Sequence, residues 1–298
     1  DTNKSTIIRL SQESDLGVLI AGGLPGLPVQ DVDLLLGKAD GNPQVLIELV
    51  GKIQTSPAWR TNGRLTVHAR GEIKALKCDL TQLITDRLNS PATPRDVQVA
   101  VALSSVQGMQ FLSTLTEDAG QALKLGPTNS GLSTAASPLR LIVGLNAGVA
   151  SFVQRAYRDA AESLIGRQLD NPDVIKAGVL HAAIATIDDP KRWTILDADR
   201  QRAMLGVMAS LAEDNPDAAM RLRAGHTLLQ LVELATEKAQ RAAHARQFSA
   251  GLDSKKWPID AFMFRELDSV RRALGEWYSY GTTVELCERI LEVSRARQ

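Results

Sequence analysis

Proline sets the grammar of this chain. Short polar residues followed by proline stand repeatedly just ahead of stretches with helical periodicity. The tetrapeptide Asp170-Asn171-Pro172-Asp173 recurs unchanged as Asp214-Asn215-Pro216-Asp217, 44 residues further on, and Asn42-Pro43 opens a third such stretch. Pro94, Pro138 and Pro258 occupy similar starts. A short polar side chain accepts hydrogen bonds from the free N–H groups of a first helical turn. Proline fits that turn because its missing N–H costs nothing there, and an aspartate suits the positive end of the helix. A chain punctuated in this way is cut into helices of modest length that double back on one another.

The stretches between the prolines carry the matching pattern. In Pro43–Ile53 the apolar residues Val45, Leu46, Leu49, Val50 and Ile53 fall on one face of a 3.6-residue helix. Asp96–Leu115 repeats the pattern, and Pro138–Leu164 reads as one long helix or two shorter ones. Val174–Ile187 predicts a mostly buried helix, followed by helices over Gln201–Ala212 and Asp217–Arg246 and a closing pair over Phe262–Tyr278 and Val284–Arg295. Only Arg64–Lys77 alternates like a strand, at Leu65, Val67 and Ala69. Helix is favoured even there, because aromatics make up only 4% of the chain and Ala and Leu suit helices better than sheets. The fold class predicted is all-α, with stacked antiparallel helix pairs. The spacing of about 43 residues falls in the range of HEAT-type repeats, so the stack extends to an irregular HEAT/TPR-like α-solenoid. The plainer explanation of the same spacing is that Asx-Pro is a good helix start used several times independently.

Two glycine-rich or polar stretches suggest boundaries. Residues 1–30 form an N-terminal segment ending in a Gly/Pro-rich loop from Ala21 to Pro28, residues 31–126 a helical part, and residues 137–298 a C-terminal helical-repeat part. Gly126–Ser137 is the connector between the last two, and Ser249–Trp257 is a second connector. With 44% hydrophobic residues the chain can bury a substantial core. Its 34 basic and 34 acidic residues argue against a strongly basic nucleic-acid coat or an acidic tail protein. Cys78 and Cys287 are too few and too distant for a disulfide scaffold. No apolar run reaches the ~20 residues that a transmembrane helix needs. The start at Asp1 rather than Met is read as the mark of a removed leader or tag, and a soluble, cytoplasmic setting is the favoured expectation.

Signatures of catalysis fail at specific residues. Gly37-Lys38 is followed by Ala39, so a phosphate-binding loop would lack its Mg²⁺-ligating hydroxyl. Gly22, Gly23 and Gly26 lack both the dinucleotide spacing and a preceding strand. His68, His181, His226 and His244 are scattered, with no metal-ligand spacing, so neither a metal nor a cofactor is predicted. His181 and His226 each follow an Asp-Asn-Pro-Asp start by nearly the same offset. They could pair along a groove, or be two unrelated helix histidines, which is the favoured reading. Asp188, Asp189 and Asp197 cluster around Trp193 and are the candidates for an enzyme's carboxylate site. Pro190 after Asp189 instead favours a capped helix start.

The last sixty residues concentrate both positive charge and aromatics. From Lys238 onward 11 basic residues meet 8 acidic ones, and seven of the twelve aromatics lie between Phe248 and Tyr280. Basic groups interleaved with aromatics can bind single-stranded nucleic acid through phosphate contacts and base stacking. A solvated helix face beside an aromatic core explains the same residues and is preferred. Leu274-Gly275-Glu276-Trp277-Tyr278, with Cys287, Leu291 and Ser294 downstream, resembles the packing signature of a tetratricopeptide repeat, although Arg271 stands where that family has Trp. The resemblance spans about 30 residues and implies helix-hairpin packing. The function expected is therefore a non-catalytic interaction or assembly module whose partner is another protein or a second copy of the chain. Its candidate binding residues are Arg221, Arg223, Arg241, Arg246, Trp257 and Arg272. A nucleic-acid-binding protein using Lys238–Arg272 is the first alternative, and an enzyme with a carboxylate site in a helical cavity the second.

Overall fold

A computed structural model describes residues 13–253, apart from 55, 77, 78, 138, 146, 147 and 170, together with 288 and 295. Within them the fold is all-α, built of packed helix pairs, with five short strands added. The first layer holds α1 (Glu13–Gly23), α2 (Val29–Ala39), α3 (Pro43–Gln54) and α4 (Val67–Ala75). Between α3 and α4 a small hairpin pairs β1 (Arg60–Thr61) with β2 (Arg64–Leu65). Asn62 and Gly63 turn it with φ of 50° and 78°, the left-handed pair that a tight hairpin requires. The stretch Arg64–Lys77 thus satisfies both readings in succession, a strand and then a helix. α1 runs through Gly22 and Gly23, so the Gly/Pro-rich loop is shorter than expected, starting at Leu24.

These elements close over a core that includes Ile20, Leu24, Leu35, Leu46, Leu49, Ile53 and Ile73. Asp31 lies inside it at 1% exposure. Its carboxylate accepts the Leu65 N–H at 3.1 Å and two Arg70 nitrogens at 2.6 and 3.2 Å. Burial alone would raise its pKa, but the hydrogen bonds from Arg70 and Leu65 outweigh burial and hold the carboxyl below its ordinary range. Asp31 therefore ties α2 to the hairpin and to α4.

The second core is larger. It is assembled from α5 (Leu80–Leu88), α6 (Arg95–Gln107), β3 (Gln110–Leu112), α7 (Ser113–Ala122), α8 (Asn129–Ala136), β4 (Ile142–Val143), β5 (Val149–Phe152) and α9 (Arg155–Glu162). The long helices α10 (Pro172–Ile187), α12 (Ala198–Ala212) and α13 (Ala218–Leu234) complete it, with short α11 (Pro190–Ile195) between the first two. α6 is the centre: every residue from Val97 to Ser105 is buried, as expected of a helix surrounded on all sides. Its buried Gln98 donates to the Leu88 carbonyl at 2.7 Å, satisfying a polar group that would otherwise be costly.

Three expectations need correction here. The connector at 126–137 contains α8, which packs on α6. Gly131 makes that approach possible, since a Cβ there would come within 2.5 Å of the Asp96 carbonyl carbon and 2.9 Å of the Val97 nitrogen. The one long helix or two shorter ones expected over Pro138–Leu164 give way to β4, β5 and only then α9. β5 pairs antiparallel with both β3 and β4, and Phe111 meets Phe152 with ring centroids 5.3 Å apart. The single helix expected over Asp217–Arg246 is broken at Ala235, after which α14 (Lys238–Asp253) begins.

The repeated proline motif is one local device set in two registers. Asn42, Asn171 and Asn215 each accept, at 2.9 Å, the N–H of the residue two positions on: Gln44, Asp173 and Asp217. At the first two the helix begins on the proline itself. At the third the turn stands outside the helix, and Asp217 caps α13 by accepting the Ala219 N–H at 2.9 Å. Identical tetrapeptides therefore start their helices at different residues. Beyond α10 the packing is sequential: α10 meets α12, α12 meets α13, and α13 meets α14. No helix among the described residues is long and apolar enough to cross a membrane.

Candidate functional site

The expected binding arginines among the described residues make hydrogen bonds within the chain. Arg221 donates through Nη1 to the carbonyls of Asn215 at 2.7 Å and Pro216 at 2.8 Å, clamping the turn that precedes α13. Arg223 forms a forked pair with Asp188 at 2.5 and 3.1 Å, tying α13 to the C-terminal end of α10. Arg241 donates to the Ala235 carbonyl at 3.2 Å, the residue that ends α13. Arg246 is exposed and its Nε contacts the Ala242 carbonyl at 3.3 Å. Trp257 and Arg272 lie outside the described residues, as do the tetratricopeptide-like segment and the closing helix pair apart from residues 288 and 295. On α14 Arg241 and His244, three residues apart on one side of the helix, are half-buried, and Arg246 is exposed. Burial lowers the pKa of His244, which keeps its imidazole neutral near pH 7.

The histidine pair and the aspartates resolve in the same direction. His181 is exposed on α10 and His226 is half-buried on α13, so the two stand in different surroundings. Asp189 caps α11 by accepting the N–H groups of Lys191 at 2.9 Å and Arg192 at 3.4 Å. Asp197 caps α12 through the Arg200 N–H at 2.9 Å. Asp188 is taken by Arg223. Each aspartate works at a helix end, as Pro190 anticipates for Asp189. Among the described residues no group of three or more His, Cys, Asp or Glu side chains could hold a metal ion.

The densest buried chemistry lies elsewhere. α3 presents Gln44 and Glu48, one turn apart, on the side away from its apolar stripe, and they meet Arg87 of α5 and Tyr157 of α9. Glu48 is 2% exposed. Its Oε2 lies 3.2 Å from Arg87 Nη1, and its Oε1 accepts the Tyr157 hydroxyl at 2.9 Å. The same hydroxyl accepts a hydrogen bond from Gln44 Nε2. Burial, followed by the charge of Glu48 and the hydrogen bond to it, pushes the Tyr157 pKa far above the ordinary phenol range. Tyr157 is thereby held as a neutral donor to Glu48. Nε and Nη2 of Arg87 are buried without a hydrogen-bond partner, so the guanidinium is committed to Glu48 at real desolvation cost.

Nothing local in the sequence marks this cluster. Gln44 and Glu48 look like the solvated side of an amphipathic helix, and their partners come from α5 and α9. The one available signal is their four-residue spacing opposite the apolar stripe. Comparison with protein-family models, with curated proteins and with solved structures finds no match.

Proposed function

We propose that this chain is a non-catalytic interaction or assembly module built from helical pairs, presenting the face of the α10–α14 stack to another protein or to a second copy of itself. The observation that carries this reading is the packing of α10, α12, α13 and α14, each against the next in chain order. A stack of that kind grows by addition of neighbours and leaves extended lateral surface. The use of Asp188, Asp189, Asp197, Arg221 and Arg223 to pin helix ends adds support. These groups make the stack rigid, and rigid helix faces are what binding surfaces need. Val174, Ile195 and Leu234 are exposed apolar residues on α10, α11 and α13 that suit contact with a protein better than with a phosphate backbone. The nucleic-acid reading draws less support, since His244 is neutral and Arg241 is turned to the Ala235 carbonyl.

Light scattering over a concentration series, combined with cross-linking and mass spectrometry, tests the proposal. The expected result is self-association or a cross-linked partner whose contacts map to α10–α14 and weaken on Ile195→Asp or Leu234→Asp. A monomer at every concentration, with no cross-link sensitive to those substitutions, overturns it. Salt-dependent binding to single-stranded nucleic acid would replace it with the alternative.

A further inference from the structure

The two hydrophobic cores meet at a polar seam. The first core draws its buried residues from Leu16 to Leu83 and the second from Ile84 to Ala224. α5 serves both: Leu83 belongs to the first, Ile84 and Leu88 to the second, and Leu80 packs against each. α3 sends Val45, Leu46, Leu49, Val50 and Ile53 into the first core. Toward α5 and α9 it offers Gln44 and Glu48 instead, with Lys52 4.0 Å from Asp86 of α5.

Separating such a seam differs from breaching either core. Charged groups released from it regain hydration, which repays much of what their attraction contributed. When the first layer opens, the apolar side chains of the second core stay buried among their own neighbours, so the hydrophobic stabilisation on that side is kept. Units that meet this condition open below the global unfolding free energy. We propose that the Gln44–Glu48–Arg87–Tyr157 seam is a parting plane. Along it α1–α4 open as a unit about α5 while the second core stays folded, uncovering Leu80, Leu83 and the Tyr157 edge of α9 as a mixed apolar and polar face. The device stands independently of the interaction reading above.

Native-state hydrogen exchange of the full chain, resolved by segment over sub-denaturing urea concentrations, tests it. The amides of α2 and α3 are expected to share one opening, populated at least ~100-fold more than the opening that exposes α6, α10 and α12. Tyr157→Phe keeps the ring and removes the hydroxyl that joins Glu48 and Gln44. It should speed exchange in α2 and α3 by ~10–100-fold, the worth of a hydrogen bond to a charged group, and speed α10 and α12 by no more than the same factor, since the bond is lost in both openings. Leu103→Ala, inside the second core on α6, should accelerate α10 and α12 and leave α2 and α3 within about twofold, because their opening keeps that core folded. A single shared opening for α2 and α12 in the unaltered protein refutes the parting plane, and so does equal acceleration of both sets by Leu103→Ala. Should Tyr157→Phe fail to fold, the unaltered protein and Leu103→Ala decide on the same criteria.

Discussion

Replacing Arg87 by methionine isolates what the buried charge pair is worth. The substitution keeps an unbranched side chain in place but leaves the Glu48 carboxylate, 2% exposed, with the Tyr157 hydroxyl as its remaining donor in the cluster. Removing one partner of a buried pair costs about 3–5 kcal/mol, because the other charge is stranded out of water. Arg87 retains 15% exposure, so water can reach the vacated site and the lower half of that range, about 3–4 kcal/mol, is expected. With a urea m-value of about 3 kcal/mol/M, the unfolding midpoint should fall by roughly 1 M.

Urea unfolding followed by far-ultraviolet circular dichroism reads the helices on both sides of the seam. The decisive comparison is the double variant Glu48→Met with Arg87→Met. It removes both charges together, and an apolar replacement of a buried pair is commonly neutral or stabilising. Its midpoint should therefore return close to that of the unaltered protein. A shift below ~0.3 M for Arg87→Met would show that Glu48 is hydrated in solution. A double variant as unstable as the single one would show that the loss comes from packing around the guanidinium stem. Either outcome refutes the charge-pair argument.

Gly131→Ala sets a Cβ against the Asp96 carbonyl and the Val97 nitrogen of α6, where backbone cannot yield cheaply. A cost of about 3 kcal/mol is expected, seen as a fall of roughly 6–12 °C in thermal midpoint; an unchanged midpoint would show that α8 does not dock this closely. His244 carries a lowered pKa because it is buried. Below about pH 6.5 the unfolded chain takes up a proton that the folded chain refuses, so stability falls as pH drops through that value and levels off below the folded pKa. Thermal midpoints at pH 7.5 and 5.0 should thus fall further in the unaltered protein than in His244→Gln, and equal falls would exclude a buried neutral imidazole.

How far the fold can be read in advance follows from how far each interaction reaches along the chain. The Asn-Pro caps are legible because donor and acceptor sit two residues apart, as at Asn171 and Asp173. Their register is not, because whether α13 begins at Pro216 or Ala218 depends on Asp217 supplying a second cap and Arg221 clamping the turn. The three-stranded sheet escapes notice for a related reason: β4 spans two residues and β5 four, too short for alternation to stand out. Gly131 reads as linker glycine, yet it is where α8 touches the backbone of α6. Glu48 shows the same limit in its strongest form. Solvation and ionic burial demand the same side chain at the same helical position, and only Arg87 and Tyr157, brought in by α5 and α9, decide between them. The residues that look functional in the sequence are thus the ones that organise helix ends over short range. The site with the largest energetic consequences is written in residues that look like ordinary surface, and it lies where one core ends and the next begins.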